Sequence, residues 1–280
     1  MLLAKFALAQ KISMTKLSLV EEIIKKQSYL CVGLDSDCEK LPKGFSKDAK
    51  GVLDFNKAII DATAAHCVSY KINTAFYESM GVKGWQAMEE TLAHIPSSHF
   101  TIADAKRGDI GNTSAHYAKT FFEVLPFDAI TVAPYMGKDS LDAFLTYKNK
   151  FTIVLGLTSN EGSQNFQQQK LSSGEFLYES VLKQVATWGT PEQIMFVVGA
   201  TKAEALENIR SIIPHHFLLV PGVGAQGGSL AEVTKYGKNE SVGLLLNASR
   251  AIIFASTEKD FAEKANLAAQ AYASEMKGLL

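Results

Sequence analysis

The stretch IMFVVGATKAEALENIRSIIPHHFLLV, residues 194–220, reads as one repeating structural unit. An apolar run, Ile194–Val198, leads into Lys202–Ile213, where Ala205, Leu206, Ile209 and Ile213 fall on one face of a helix. A second apolar run, Phe217–Val220, follows. Neither run alternates apolar with polar residues, as a half-exposed strand would. Both therefore read as strands buried on two faces, the condition of a parallel sheet covered by helices. His215-His216, just before the second run, reads as an exposed turn.

The same unit recurs outward in both directions. Further apolar runs are Tyr29–Leu34, Val68–Ile72, Phe100–Ala103, Ala129–Ala133, Phe151–Leu157 and Val242–Leu246, making eight in all. Val52–His66 carries Val52, Phe55, Ile59 and Ala62 on one helical face, and Glu175–Thr187 places Phe176, Val181, Leu182 and Val185 similarly. Asp260–Leu280 reads as a long Ala-rich helix. Eight such units in 280 residues predict an α/β fold, a (β/α)₈ TIM barrel. An open doubly wound sheet is the alternative. No Pro/Gly/Ser-rich linker or composition break divides the chain, so residues 1–280 read as a single domain. Residues 1–13 form an expected N-terminal extension, with Met14 a candidate alternative start. The polar residues 160–174 read as an inserted surface loop or short helix.

Composition narrows the function. Lys+Arg number 28 against 29 Asp+Glu, a net charge of −1, which argues against a nucleic-acid or acidic-membrane partner. Three cysteines, Cys31, Cys38 and Cys67, form no C-x-x-C pair, which argues against a disulfide framework and for a reducing cytoplasm. The six histidines show neither H-E-x-x-H nor zinc-finger spacing, so no metal site is expected. No apolar run reaches the roughly 18 residues of a membrane span. Ala7-Leu8-Ala9 resembles a signal cleavage site, but Lys5 interrupts the apolar stretch and no basic region precedes it.

The chemistry-bearing residues gather just after the apolar runs. Asp35 follows the first; Lys71 and Asn73 close SYKIN; Asp104 and Lys106 follow FTIA; Thr131 and Pro134-Tyr135 close AITVAPY; Thr158-Ser159 follow the fifth. Gly222–Gly228 follow the seventh run and Asn247–Arg250 the eighth. In a barrel these are C-terminal strand ends, the face on which active sites are built. The densest cluster is DAKRGDIGNT, residues 104–113. Two carboxylates around an ammonium keep it charged, so Lys106 reads as a proton donor and electrostatic anchor rather than a Schiff-base nucleophile. That combination suits stabilisation of, and proton delivery to, a carbanion.

DAKRGDIGNT, with SYKIN upstream and PGVGAQGG downstream, resembles the orotidine 5′-phosphate decarboxylase family, in particular its longer bacterial subgroup with the DAKRGDIG signature. The resemblance runs from about Leu30 to Ala255 with the motifs in order. It implies a (β/α)₈ barrel working as a homodimer with shared active sites. The implied carboxy-lyase reaction converts orotidine 5′-phosphate (OMP) to UMP, the last step of de novo pyrimidine nucleotide synthesis, with no metal or organic cofactor. Carried over by motif, Lys71, Asp104, Lys106 and Asp109 would form an alternating charged array, Asp109 entering from the partner subunit. Lys106 would protonate C6 as CO₂ leaves, and Asp104 would sit near the departing carboxylate. Asp35 would bind the ribose, and Asn73 would join the substrate site. Ile110 and Thr113 would reach the neighbouring site, and Ser159 would meet the pyrimidine edge.

The phosphate end follows from the residues as well. Pro221–Gly228 and Asn247–Arg250 close the last two strands, where barrel enzymes often bind phosphate. Glycines admit backbone N–H groups to an anion, and Arg250 supplies a permanently charged planar fork. Gln226 resembles the family's phosphate-reaching loop residue, and Pro221 opens that loop; Ser249 stands where the family more commonly has glycine. Gly222-x-Gly224-x-x-Gly227 also matches a dinucleotide fingerprint, but Asn247 occupies the position of the ribose-binding acid, which argues against a nicotinamide site. Two rivals stay open: a metal-dependent sugar-phosphate decarboxylase or epimerase on a related barrel, and a non-catalytic phosphate-ligand-binding barrel.

Overall fold

The computed structural model describes residues 13–200, 203–223 and 228–280. Eight strands close on themselves in chain order: β1 Leu30–Gly33, β2 Ser69–Asn73, β3 Phe100–Arg107, β4 Ala129–Val132, β5 Phe151–Leu157, β6 Ile194–Val198, β7 Phe217–Pro221 and β8 Leu244–Ala248. Every neighbouring pair is parallel, and β8 returns to β1 with Leu30 opposite Leu246. This is the (β/α)₈ TIM barrel that the repeated apolar runs predict, and closure rules out the open sheet. The strands read as continuous apolar runs because one face lies against the barrel interior and the other against helices.

Helix Ala49–Thr63 illustrates the outer layer. Asp48 caps it by accepting the Gly51 N–H at 3.0 Å. Val52, Phe55, Ile59 and Ile60 are buried on its inner face, each contributing about 1.5–3 kcal/mol of transfer free energy as an upper bound. Phe55 stacks on Phe254 and meets Phe261 of the long helix Phe261–Lys277, so the last helix docks beside the first crossover. At the opposite end from the strand C-termini, fully buried Asp128 accepts the Met14 N–H at 3.0 Å and the Thr101 hydroxyl at 2.7 Å.

Three local expectations change. β3 runs four residues beyond its apolar run, to Arg107, because a register shift between Ala103 and Arg107 keeps the polar DAKR segment paired. β8 starts at Leu244 rather than Val242, because Asn239 and Val242 close a tight turn in which Val242 has a φ of +65°. His216 is buried, not exposed, edge-on to Phe196 with ring centroids 5.3 Å apart; its neighbour His215 is the exposed one. The polar insertion holds a short 3₁₀ turn, Glu161–Asn165. The expected extension lies, Ser13 apart, outside the described residues.

Candidate active site

β2 and β3 lie side by side, with Lys71 opposite Ile102 and Asn73 opposite Asp104. That register sets the Lys71 and Asp104 side chains together at the strand ends. The Lys71 Nζ donates to Asp104 Oδ2 at 3.0 Å and to Asp35 Oδ1 at 3.0 Å. Lys106 Nζ donates to the other Asp104 oxygen at 2.6 Å. Four charges of alternating sign thus form one chain: Asp35, Lys71, Asp104, Lys106.

Their environments differ. The Lys71 side chain is 5% exposed and that of Asp104 12%, whereas Lys106 is 51% exposed. Burial alone would raise the Asp104 pKa, but the ammonium groups of Lys71 and Lys106 outweigh it and hold the carboxyl well below the usual carboxylate range. Burial likewise opposes a charge on Lys71, yet Asp104 and Asp35 together hold its pKa above that of a free lysine. Asp104 and Lys71 therefore stay ionised at neutral pH, and the solvent-facing end of the array is Lys106.

Lys106 is aimed by a strained backbone. Its φ is +47°, a left-handed conformation rare outside glycine, and it sits in the irregular part of β3. Thr131, fully buried on β4, holds it there: the Thr131 hydroxyl accepts the Lys106 N–H at 2.9 Å and donates to Asp104 Oδ1 at 3.0 Å. One hydroxyl thus fixes both the backbone that carries the exposed ammonium and the carboxylate that receives it. The sequence signal for this role was a threonine inside an otherwise apolar strand.

Beside the charged array lies a cavity of 150 Å³ lined by Asp35, Pro221, Gly222, Asn247, Ser249 and Arg250 among others. Asp35 borders both, ion-paired to Lys71 and facing the cavity. Gly222 has a φ of +96°, open to glycine, as the chain leaves β7. Gly33 is needed for a different reason: a Cβ there would stand 2.8 Å from the Ser249 Cβ. Among the described residues the Arg250 guanidinium has no hydrogen-bond or ion-pair partner. The oxygens Asn247 Oδ1 and Ser249 Oγ are buried without a hydrogen-bond partner among the described residues. Gln226 lies outside the described residues.

The other expected residues are less tightly gathered. Asn73 Oδ1 accepts the Ala75 N–H at 3.3 Å. Ser159 packs against Gly199, where a Cβ would meet it at 2.7 Å, and lines a separate 90 Å³ cavity with Thr158 and Asn160. Asp109 does not join the array: its carboxylate accepts the Ile110 N–H at 2.7 Å and has no ion pair with a described residue. Ile110 and Thr113 beside it are exposed.

Comparison with known proteins decides what this arrangement belongs to. The family model for orotidine 5′-phosphate decarboxylase / HUMPS matches residues 28–265. The chain belongs to that family. The chain is 55% identical over 270 residues to the orotidine 5′-phosphate decarboxylase of Phocaeicola vulgatus, covering 95% of this chain and 99% of that one. With the namesake from Christiangramia forsetii it shares 57% over 266 residues, covering 94% and 97%. Among solved structures, that of Leishmania donovani OMP decarboxylase superposes with a TM-score of 0.82 at 34% identity, covering 95% of this chain and 98% of that one. Membership in the orotidine 5′-phosphate decarboxylase / HUMPS family accounts for a barrel whose polar residues converge on one end.

Proposed function

We propose that the chain decarboxylates orotidine 5′-phosphate to UMP and CO₂, the last step of de novo pyrimidine nucleotide synthesis. The observation that carries this reading is the position of Asp35. It touches both the Lys71–Asp104–Lys106 array and the cavity that presents Arg250. A nucleotide fits that layout, with its phosphate at Arg250, its ribose at Asp35, and its base over the array.

In this reading Arg250 binds the phosphate by charge-assisted hydrogen bonds, with Pro221 and Gln226 on the same loop. Asp35 accepts from a ribose hydroxyl; Asn73 borders the ribose and Ser159 the pyrimidine edge. The substrate carboxylate lies near Asp104, which Lys71 holds ionised. The bond between C6 and the carboxyl carbon breaks, CO₂ leaves, and the electron pair stays on C6. The Lys106 ammonium, 2.6 Å from Asp104, stabilises that charge and transfers its proton to C6. The resulting amine, half-exposed, recovers a proton from solvent. No metal or organic cofactor enters this sequence of steps. The active unit is a homodimer, in which Asp109, Ile110 and Thr113 of one protomer complete its partner's site. The exposure of Ile110 and Thr113, and the absence of an ion pair for half-buried Asp109 among the described residues, support this. The whole chain acts as one barrel domain, in the cytoplasm. Its three free cysteines fit a reducing compartment, and no helix among the described residues is long and apolar enough to cross a membrane.

The test is the loss of orotidylate ultraviolet absorbance with purified protein, with and without a chelator. Equal turnover in both is expected. Activity lost to the chelator would favour a sugar-phosphate enzyme dependent on a metal, and absence of any turnover would favour a binding barrel.

A further inference from the structure

Asp35 occupies an exacting position, yet nothing regular holds it. β1 ends at Gly33, and the last ladder bond on this side is Leu34 N–H to the Lys71 carbonyl at 2.8 Å. Asp35 belongs to neither helix nor strand. Its neighbours on both sides are instead gripped from behind. The Tyr77 hydroxyl donates to the Leu34 carbonyl at 3.2 Å, and the Ser36 hydroxyl donates to Asn56 Oδ1 at 2.6 Å. The same Asn56 amide donates to the Tyr77 oxygen at 2.9 Å and to the Thr91 hydroxyl at 3.2 Å.

This network is sealed from solvent. Asn56, Tyr77 and Thr91 are fully buried and Ser36 is 1% exposed. It joins three helices of the first two crossovers, since Asn56 lies in helix Ala49–Thr63 between β1 and β2, and Tyr77 in Ala75–Glu78 and Thr91 in Gly81–His94 both lie between β2 and β3. Asn56 falls on the apolar face with Val52 and Ile59, where a polar side chain is costly unless satisfied, and here its oxygen and nitrogen all have partners. A saturated buried network has one low-energy arrangement, so it fixes the backbone on either side of Asp35.

We infer that Ser36, Asn56 and Tyr77 are positioning residues that set the Asp35 carboxylate for recognition of the ribose hydroxyls, and so help to determine specificity for a ribonucleotide. The inference rests on the reading of Asp35 as the ribose anchor. The network itself does not touch the cavity lined by Arg250, so the phosphate end is independent of it.

The experiment compares UMP, 2′,3′-dideoxyuridine 5′-monophosphate and uridine as competitive inhibitors of turnover. The proteins are wild type, Ser36→Ala, Tyr77→Phe and Asn56→Leu. Asn56→Leu breaks three bonds and risks misfolding, whereas the other two each delete a single oxygen. Wild type is expected to prefer UMP to its dideoxy analogue about tenfold or more, the scale of a hydrogen bond to a carboxylate. In Ser36→Ala and Tyr77→Phe that preference shrinks about threefold to tenfold, while the preference for UMP over uridine stays within twofold of wild type. A merely structural network would lower the melting temperature and leave both preferences unchanged, and that result overturns the inference. If wild type does not discriminate the dideoxy analogue at all, the ribose assignment of Asp35 falls and the inference falls with it.

Discussion

Thr131→Val replaces one hydroxyl by a methyl in a fully buried site, with nearly unchanged volume. Two bonds disappear: the donation to ionised Asp104 at 3.0 Å and the acceptance of the Lys106 N–H at 2.9 Å. The first is worth about 1.5–3 kcal/mol, and leaving an N–H without an acceptor costs about 1–3 kcal/mol. Relaxing Lys106 from its φ of +47° to an ordinary value recovers about 1–2 kcal/mol. The net loss of stability is therefore roughly 0.5–5 kcal/mol, centred near 3, read as a lower urea midpoint at unchanged slope. The larger effect falls on catalysis. Once the backbone relaxes, the Lys106 ammonium leaves its place by an ångström or more, and misplacement on that scale costs about 10²-fold in rate. kcat should fall about 10²-fold while KM changes less than about threefold, because Thr131 does not border the Arg250 cavity. Thr131→Ser keeps the hydroxyl and should retain kcat within about fivefold. Steady-state turnover of orotidylate by all three proteins measures this. A Thr131→Val enzyme with wild-type kcat would refute the claim that this hydroxyl aims Lys106.

Other consequences follow from the same geometry. Arg250→Ala should lower kcat/KM for the nucleotide about 10- to 150-fold, the value of a charged phosphate contact of about 1.5–3 kcal/mol, and leave turnover of the phosphate-free nucleoside substrate nearly unchanged; equal losses on both would make Arg250 structural. Burial, reinforced by Lys26 at His99 and by Lys16 at His216, lowers both imidazole pKa values to about 4. The unfolded chain binds these protons near pH 6.5 and the folded one does not, so stability is complete above that pH and falls toward pH 4, by roughly 3 kcal/mol per histidine. His216→Phe removes two ring nitrogens without partners; its urea midpoint should match or exceed wild type at pH 7.5 and drop less by pH 5, and an unchanged drop contradicts the assignment. Lys71→Ala and Asp109→Ala, each nearly inactive alone, should regain about a quarter of wild-type activity after subunit exchange. About half the dimers are then mixed, and each carries one site with both residues intact. No regain after exchange, verified with an affinity tag, would place Asp109 in its own chain's site.

How far the sequence reveals this molecule depends on the kind of interaction concerned. The eight strands were legible because burial on both faces demands uninterrupted apolar residues, and each of the eight runs overlaps one strand. The end of β3 was not, because its last four residues pair through a register shift while looking like a charged loop. Lys71, Asp104, Lys106 and Asp35 were legible as chemistry because charges at successive strand ends have no structural reason to recur. Their supports were less so: Thr131 stood out as a polar residue in an apolar run but its two contacts depend on the β3 register shift, and Ser36, Asn56, Tyr77 and Thr91 lie apart in sequence until the barrel brings them together. Asn56 did leave a trace, as an amide on the apolar face of its helix. His216 misled because an imidazole pair beside a proline resembles a turn, whereas packing against Phe196 draws one ring inward.

The most direct test of the central claim is the turnover of orotidylate by Lys106→Ala. This substitution removes both the proton source and the charge that meets the developing carbanion. kcat should fall at least ~10⁴-fold, more than a lone acid–base role supplies. UMP affinity should change far less, since the Arg250 cavity is untouched. A folded Lys106→Ala protein that keeps even a tenth of wild-type turnover would contradict the account and place the catalytic ammonium elsewhere.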